Sequence, residues 1–217
     1  MLKNLKQKKV YKINGIGVDL SKYNPNIDFD KNALLTELGI SENDFVIMSC
    51  GELNENKNTY RLLEAVKNLN NANIKYLVCG EGPLKQKYVK YVSDNNLQNN
   101  VKILGFRSDM PKILSISDLY LMPSFREGLS RAMMEAMSYG LPIVASKIRG
   151  NTDLLGNNEG GVLCDPNNTK EFENAILKIY NNKQLAQQLG KRNMEYVKNF
   201  DLKIVLNQMQ KIYEEIE

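Results

Sequence analysis

The sequence predicts a doubly wound α/β fold, in which a parallel, Rossmann-like sheet is covered by helices on both faces. Short runs that are apolar on both faces alternate with helical stretches, which is typical of such a sheet. Glycine directly follows three of these runs, at Gly51, Gly80 and Gly105. The chain has 217 residues, 42% of them apolar, so it can bury one core of ordinary size.

Seven runs are predicted strands, since each is short, apolar and bounded by turn or polar residues. They are Val10–Ile13, Phe45–Ser49, Ile74–Cys79, Val101–Leu104, Leu119–Met122, Ile143–Ala145 and Gly161–Cys164. Helices are predicted in the intervals between most of them. They cover a short segment containing Leu34, Leu35 and Leu38, then Tyr60–Leu69, Leu84–Val92, Pro111–Ile116 and Leu129–Tyr139, with two or three more after Thr169.

Periodicity and breakers support the two helices that matter most. In Tyr60–Leu69 the leucines and a valine recur on one face, and Leu129–Tyr139 is closed by Gly140 with Pro142 beyond it. No linker or low-complexity segment interrupts the alternation. We therefore expect one domain over residues 1–217, with its C-terminal helices beginning at about residue 169.

Composition excludes several classes of function. The chain has no histidine, which removes Ser-His-Asp and Cys-His catalysis and histidine-ligated metals. Its net charge of +4 is spread along the sequence, so we expect no nucleic acid partner. The widely spaced Cys50, Cys79 and Cys164 are typical of buried free thiols. No membrane span or signal peptide is recognisable, so we expect a cytoplasmic location.

Four loops at predicted carboxyl ends of strands carry the candidate site, because open parallel sheets bind ligands there. They begin at Gly51, Gly80, Gly105 and Pro123. Turn geometry explains each glycine taken alone, whereas several such loops at one edge favour a phosphate or nucleotide site. The sequence has no GxxxxGK[ST] motif and no complete GxGxxG motif. A P-loop NTPase is therefore excluded and a dehydrogenase is disfavoured.

The segment from Glu127 to Glu135 is the most informative part of the sequence. A helix is predicted to begin near Gly128 and Ser130, where free backbone N–H groups form an anion site. With a rise of about 1.5 Å per residue, the two carboxylates are about 12 Å apart along the axis. This exceeds the ~5–9.5 Å of a glycosidase pair and suits a nucleotide sugar. The alternative is two ordinary surface glutamates, although the apolar neighbours of Glu135 predict a partner for its carboxylate.

Lys57 is the candidate for a second phosphate ligand. It follows the Gly51 loop at the predicted start of a helix, and lysine is a compact charge that suits phosphate. Taken alone, a solvated lysine is the simpler interpretation of this residue.

These motifs resemble the C-terminal, nucleotide-sugar-binding domain of GT-B glycosyltransferases of family 4. The likeness covers nearly the whole chain, and six segments occur in the family's order. They are Asn14–Asp19, Gly51–Asn58, Gly80–Leu84, Val101–Phe106, Arg126–Met137 and Gly140–Ser146. The resemblance implies the C-terminal half of a GT-B fold, from a bacterial enzyme of capsule or exopolysaccharide synthesis.

The resemblance also implies roles for the matched residues. Glu127 would contact the donor sugar, Glu135 the ribose, and Lys57 the diphosphate, together with the backbone of Gly128 and Leu129. Lys57 and Glu127 would be the catalytic residues. The other donor-binding residues implied are Gly51, Glu52, Gly105, Phe106 and Ser130. No metal or other cofactor is implied.

The chain departs from the family in two ways. Many members have arginine where Glu52 stands, and Asn54, Asn56 and Asn58 are then expected to act as neutral donors to phosphate. Members also carry an N-terminal domain that binds the acceptor, for which this sequence has no counterpart.

The leading interpretation is a retaining glycosyltransferase donor domain that transfers a sugar from a UDP-sugar to a surface-glycan or lipid-linked acceptor. Two alternatives stay open: a non-catalytic nucleotide-sugar-binding module, and one subunit of a split glycosyltransferase with a separate N-terminal acceptor domain. In the second, the last helix presents an apolar face to its partner, although packing on its own domain is simpler. The residues of that face are Ile204, Val205, Met209, Ile212 and Tyr213.

The N-terminal lysines are a candidate for peripheral contact with the inner face of a membrane, because anionic lipid attracts clustered lysine. They are Lys3, Lys6, Lys8 and Lys9. A solvated run of charge is the simpler interpretation.

Overall fold

A computed structural model describes residues 11, 13, 15–156 and 159–215 of the chain. Six strands form one sheet in which every pairing is parallel. The strands are β1 (Phe45–Cys50), β2 (Ile74–Cys79), β3 (Val101–Gly105), β4 (Leu119–Met122), β5 (Ile143–Ser146) and β6 (Gly161–Cys164). Their order, β3-β2-β1-β4-β5-β6, is that of a Rossmann-like sheet, so the predicted fold class is confirmed.

Helices connect and cover the strands. They are α1 (Lys31–Leu38), α2 (Thr59–Leu69), α3 (Lys85–Asp94), α4 (Met110–Ser115), α5 (Arg131–Ser138), α6 (Arg149–Leu155), α7 (Thr169–Tyr180), α8 (Lys183–Val197) and α9 (Leu202–Glu214), with a 3₁₀ turn at Lys198–Phe200. The predicted helices are confirmed within a few residues. Of the predicted strand Val10–Ile13, the structure describes Tyr11 and Ile13, and neither is in a strand. Val10 and Lys12, the N-terminal lysines and Asn14 lie outside the described residues.

α6 has no counterpart among the sequence predictions. Its sequence, RGNTDLL, opens with glycine and polar residues, and leucines occupy only its last two positions. A short apolar stretch of this kind shows no helical period. Tertiary contacts therefore decide that this segment is helical.

The sheet separates two apolar layers. Along β1, Ile47 faces one layer and Met48 the other, and Leu121 and Tyr120 alternate in the same way along β4. Because both faces are buried, the strands read as continuous apolar runs. The three cysteines are free, and Cys79 and Cys164 are buried, as the sequence predicted, whereas Cys50 is only partly buried.

The chain's first described segment meets its last helix. Val18 pairs with Asp201 in a parallel bridge, and its N–H donates to the Phe200 carbonyl at 2.8 Å. In α9, Val205 is buried against the rest of the domain, while Ile204 and Tyr213 are exposed. Met209 and Ile212 are half-buried, so the simpler interpretation of the α9 face holds fully for Val205 and not for Ile204 and Tyr213. None of the described helices is long and apolar enough to cross a membrane.

Candidate functional site

The candidate site lies at the carboxyl edge of the sheet, where β1 and β4 are neighbours. The chain leaves β1 toward β2 on one side and leaves β4 toward β5 on the other. Neighbouring strands with diverging connections leave a crevice beyond their carboxyl ends, and doubly wound sheets bind ligands there. Loops 51–58 and 123–130 follow these two strands. The topology therefore brings together two of the four loops that the sequence singled out.

An ion pair joins these two loops. Lys57 Nζ donates to Glu127 Oε1 at 2.7 Å, with 26% of the lysine side chain and 12% of the glutamate side chain exposed. The Lys57 N–H donates to Asn54 Oδ1 at 3.0 Å, which fixes the turn that carries the lysine. The two residues predicted to catalyse are therefore in direct contact.

Asparagines and backbone groups fasten the same loops. The Phe125 N–H donates to the Asn56 carbonyl at 2.8 Å, and Asn56 Nδ2 donates to the Arg126 carbonyl at 3.0 Å. On the outer side of the loop, Asn54 Nδ2 donates to the exposed Glu52 at 2.8 Å. Each of these amide groups thus has at least one acceptor within the protein.

The side chain of Asn58 has a structural role. It is buried, has a left-handed φ of 52°, and immediately precedes α2. Its Nδ2 donates to the Pro123 carbonyl at 3.1 Å and to the Pro166 carbonyl at 2.9 Å. The prediction that Asn58 is a neutral donor for phosphate is therefore wrong, because both of its amide N–H groups are used within the protein.

α5 supplies the predicted helix start, two residues later than expected. Ser130 is the N-cap, and its hydroxyl accepts from the Met133 N–H at 3.3 Å. Among the described residues, the N–H groups of Gly128 and Leu129 have no protein acceptor. Unpaired N–H groups just before a helix, reinforced by the helix dipole, form an anion-binding site.

The late start of α5 corrects the geometry predicted for the two glutamates. Glu127 precedes the N-cap Ser130 and lies in the loop, whereas Glu135 lies within the helix. The axial distance of about 12 Å requires one continuous helix, so it does not describe this pair.

Gly128 differs from the other thirteen glycines of the chain. A Cβ atom built on Gly128 would meet no atom within 4 Å, and its φ lies outside the left-handed region. Each of the others has a positive φ, a neighbour that a Cβ would touch, or both. Packing within the protein therefore does not explain a glycine at position 128, whereas close approach of a ligand to its backbone would.

Glu135 lies half-buried on α5 near the end of β1. Burial raises the pKa of Glu135, while a hydrogen bond from Tyr23 and the charges of Arg131 and Lys22 oppose the rise. Tyr23 comes first among the neighbours that favour the ionised form of this carboxylate, for which the sequence predicted a partner. Burial, followed by the charge of Glu135, raises the pKa of the Cys50 thiol to about 11.

Both glutamates lie near the same buried tyrosine of β4. The pKa of Tyr120 is well above its ordinary value, first because of burial and then because of Cys50, Glu135 and Glu127. Glu127 precedes α5 and Glu135 lies within it, so two carboxylates act on one buried side chain of β4.

The remaining predicted residues lie along the edge toward β3. Phe106 directly follows β3 and is 78% exposed, and its N–H donates to Glu81 Oε1 at 3.4 Å. Gly105 is buried, and Lys85 holds Glu81 in place through an ion pair of 2.6 Å. β3 is two strands from β1, which corresponds to about 10 Å. The exposed Phe106 ring thus lies at the same edge of the sheet as the Lys57–Glu127 ion pair, two strands away from β1.

The glycines at the ends of β1 and β2 serve packing. A Cβ atom on Gly80 would overlap the Gly51 carbonyl oxygen, and one on Gly51 would lie 3.2 Å from the Lys57 side chain. The Gly51 N–H donates to the Cys79 carbonyl at 3.0 Å. Packing between the two loops is therefore sufficient to explain the glycine at position 80. The backbone of Gly51 lies against the Lys57 side chain.

Two contributors to the site were missed from the sequence. Tyr23 lies in a polar segment that gives no period, and it is separated from Glu135 by about half the length of the chain. α6, the second, packs behind Glu127. No group of three or more His, Cys, Asp or Glu in the described part of the chain could hold a metal ion. That no cofactor is needed stays a prediction.

Comparison with known proteins supports the resemblance. The family model described as glycosyl transferases group 1 matches residues 30–196. The Escherichia coli UDP-Gal:alpha-D-GlcNAc-diphosphoundecaprenol alpha-1,3-galactosyltransferase is 37% identical over 176 residues, which cover 78% of this chain and 45% of that protein. The chain spans about half the length of the curated relatives it matches.

Solved structures agree with this picture. Anabaena Alr3699/HepE, crystallised with UDP and glucose, superposes with a TM-score of 0.80 at 28% identity, covering 92% of this chain and 55% of that one. The C-terminal domain of the glycosyl transferase group 1 family protein LpcC from Francisella tularensis superposes with a TM-score of 0.73. At 19% identity, with 84% of this chain and 97% of that one covered, this second likeness shows the fold alone.

Proposed function

The chain belongs to the glycosyl transferases group 1 family, and from this premise we propose that it is the donor-binding half of a retaining glycosyltransferase. A UDP-sugar is the proposed donor, and a surface glycan or a lipid-linked molecule is the proposed acceptor. The observation that carries the proposal is the meeting of the Lys57–Glu127 pair with the unpaired N–H groups of Gly128 and Leu129 in one crevice.

UDP is the proposed nucleotide because two similar proteins name it. The Anabaena protein was crystallised with UDP and glucose, and the Escherichia coli relative is named for UDP-Gal.

The donor would lie along the carboxyl edge of the sheet. Its diphosphate accepts from Gly128 and Leu129 and pairs with Lys57, while its sugar hydroxyls donate to Glu127 and its ribose hydroxyls to Glu135. The base would lie toward β3, beside Gly105 and Phe106, where an exposed ring is available. Gly51 and Ser130 support these groups from behind, as a turn and an N-cap. Glu52, which is exposed, stays a predicted donor-binding residue, but none of the donor groups named above is assigned to it.

Transfer with retention would proceed by front-face displacement. The bond between the sugar's anomeric carbon and the terminal phosphate oxygen of UDP breaks, and the acceptor hydroxyl oxygen bonds to that carbon on the same face. The acceptor's proton passes to the departing phosphate oxygen. Lys57 and the N–H groups before α5 stabilise the charge that develops on the diphosphate, which is the largest contribution such a site can make.

A binding module or one part of a split enzyme is the second candidate. In the split enzyme, a separate chain supplies the acceptor-binding part. Sugar transfer and UDP-sugar hydrolysis, measured with and without such a part, separate the candidates. Turnover only with the added part indicates a split enzyme, and binding without turnover in both settings indicates a binding module.

Calorimetric titration of the purified chain with UDP, GDP and ADP tests the proposal. We expect selective binding of UDP, weakened by Glu135→Ala and unchanged by Glu195→Ala, which removes an exposed carboxylate on α8 paired with Lys198. Absence of nucleotide binding, or equal effects of the two substitutions, would contradict the proposed donor site.

A further inference from the structure

The first turn of α6 packs against the backbone of the loop that carries Glu127. A Cβ atom built on Gly150 would overlap the Gly128 carbonyl oxygen and would lie 2.5 Å from the Glu127 carbonyl oxygen. α6 reaches this position only because residue 150 has no side chain.

This contact fixes the direction of two peptide groups. The Gly128 carbonyl carbon is 2.8 Å from the same Cβ position and its oxygen is closer, so this C=O bond points toward Gly150. In a trans peptide the N–H points opposite to the C=O, and no cis peptide occurs among the described residues. The N–H groups of Gly128 and Leu129, which share peptides with these two carbonyls, therefore point together away from α6.

α6 is itself anchored to the sheet. Asn151 is fully buried, and its Nδ2 donates to the Ser146 carbonyl at the end of β5 at 2.9 Å. Its N–H donates to the Ile148 carbonyl at 3.1 Å. α6 is thus held to β5 on one side and packs against the peptides that precede α5 on the other.

We infer that Gly150 is a positioning residue for the diphosphate-binding N–H groups of Gly128 and Leu129. This inference rests on the proposed function, because it assigns those groups to the donor's diphosphate. Any side chain at 150 would push the 127–128 peptides off α6 and turn their N–H groups. Gly150 need not touch the donor at any stage.

The chain offers a matched control for a purely structural effect. A Cβ atom on Gly190 of α8 would overlap the Gly140 carbonyl oxygen, so its steric conflict with backbone matches that of Gly150. Gly140 precedes β5, at the amino edge of the sheet opposite the crevice. Gly150→Ala and Gly190→Ala should therefore cost similar stability and differ in their effect on the site.

The test compares UDP with uridine, which lacks phosphate, by calorimetry. We expect Gly150→Ala to weaken UDP binding at least tenfold while uridine binding is unchanged, and Gly190→Ala to weaken neither. Equal losses in both variants, an equal loss for UDP and uridine, or wild-type affinity in Gly150→Ala would overturn the inference.

A second pair of variants provides the test if Gly150→Ala or Gly190→Ala does not fold. Asn151→Ala releases α6 from Ser146 without adding an atom, and Asn193→Ala is its control. Asn193 is equally buried and donates to the Leu141 and Gly160 carbonyls, both at 2.8 Å, at the amino edge of the sheet. We expect Asn151→Ala alone to weaken UDP binding, by a smaller factor than Gly150→Ala.

Amide resonances of the ligand-free protein test the orientation of the Gly128 and Leu129 N–H groups separately from UDP binding. If the wild-type chain does not bind UDP, the proposed function fails. The orientation of these peptides is still tested by the Gly128 and Leu129 amide signals, which should shift in Gly150→Ala or Asn151→Ala and stay in place in the α8 controls. Unshifted signals would overturn it independently of any ligand.

Discussion

Glycine is used differently at the two sides of the sheet's carboxyl edge. Beside β1 and β2, Gly80 leaves room for the Gly51 carbonyl, so the loops there pack on one another. Beside β4, Gly128 has no neighbour that a Cβ would meet. The same residue type after a strand thus marks internal packing on one side and an open backbone surface on the other. Only the second use points to a ligand, and the sequence pattern does not distinguish them.

The strongest test of this comparison removes the charge on the open side. Glu127→Gln should lower sugar transfer by roughly tenfold to 150-fold, because a hydrogen bond from the donor sugar to a charged group contributes about 1.5–3 kcal/mol. Transfer from the UDP-sugar is measured with the acceptor-binding part supplied. Glu195→Gln on α8 is the control, and retained activity in Glu127→Gln would assign the crevice another role.

Replacing Gly128 and Gly80 by alanine tests the two uses of glycine directly. Gly128→Ala should keep the melting temperature and weaken UDP binding about tenfold, since a methyl group fits the protein but occupies space beside the proposed diphosphate. Gly80→Ala should lower the free energy of unfolding by about 1–3 kcal/mol or more, because its φ of +143° and the Gly51 carbonyl both disfavour a side chain. Melting curves and calorimetry on both variants check this. A destabilised Gly128→Ala chain would remove the contrast.

Phe106 extends the comparison to the β3 end of the edge. Phe106→Ala should weaken uridine binding about fivefold or more, because stacking of a base on an aromatic ring contributes about 1–3 kcal/mol. Tyr213→Ala removes another exposed ring, on α9, and should leave binding unchanged. Equal affinity of the Phe106→Ala and wild-type chains for uridine would place the base elsewhere.

The smallest expected effect concerns stability and pH. Burial raises the pKa of Glu135 in the folded chain, so the carboxyl ionises more readily when unfolded. Its ionisation therefore destabilises the fold as pH rises through the raised pKa, and this cost disappears below its ordinary pKa of 4.5. Glu135→Gln should melt higher than wild type at pH 7, by about 2–4 °C for each kcal/mol regained. The difference should vanish near pH 4.

Asp118→Asn gives the control for this pH effect. Burial also raises the pKa of Asp118, whose carboxylate accepts from the Val46 N–H at 2.7 Å at the amino edge of the sheet. Its melting temperature should follow pH in the same way, while only Glu135→Gln weakens UDP binding. A melting difference for Glu135→Gln that does not change with pH would show that its ionisation is not the cause.

The sequence was most informative where the physical cause is local. Six strands with both faces buried produce apolar runs that need no tertiary information, and Gly140 with Pro142 beyond it predicts the end of α5, which the structure has at Ser138. It was least informative where distant segments meet. Asn58 is a structural clamp because the Pro123 and Pro166 carbonyls surround it, and Tyr23 matters because α5 passes beside it. No spacing along the chain encodes either contact.

The Lys57–Glu127 pair also determines the electric field that an approaching anion meets at the crevice. With opposite charges 2.7 Å apart, the pair has almost no field beyond a Debye length of about 8 Å. A nucleotide bound as proposed takes the place of the carboxylate at Lys57 and does not meet a bare cation. Its association rate should therefore resemble that of an unsteered encounter and vary little with ionic strength. In Glu127→Gln the lysine is unneutralised, and the nucleotide should arrive faster, with a rate that falls as salt is added.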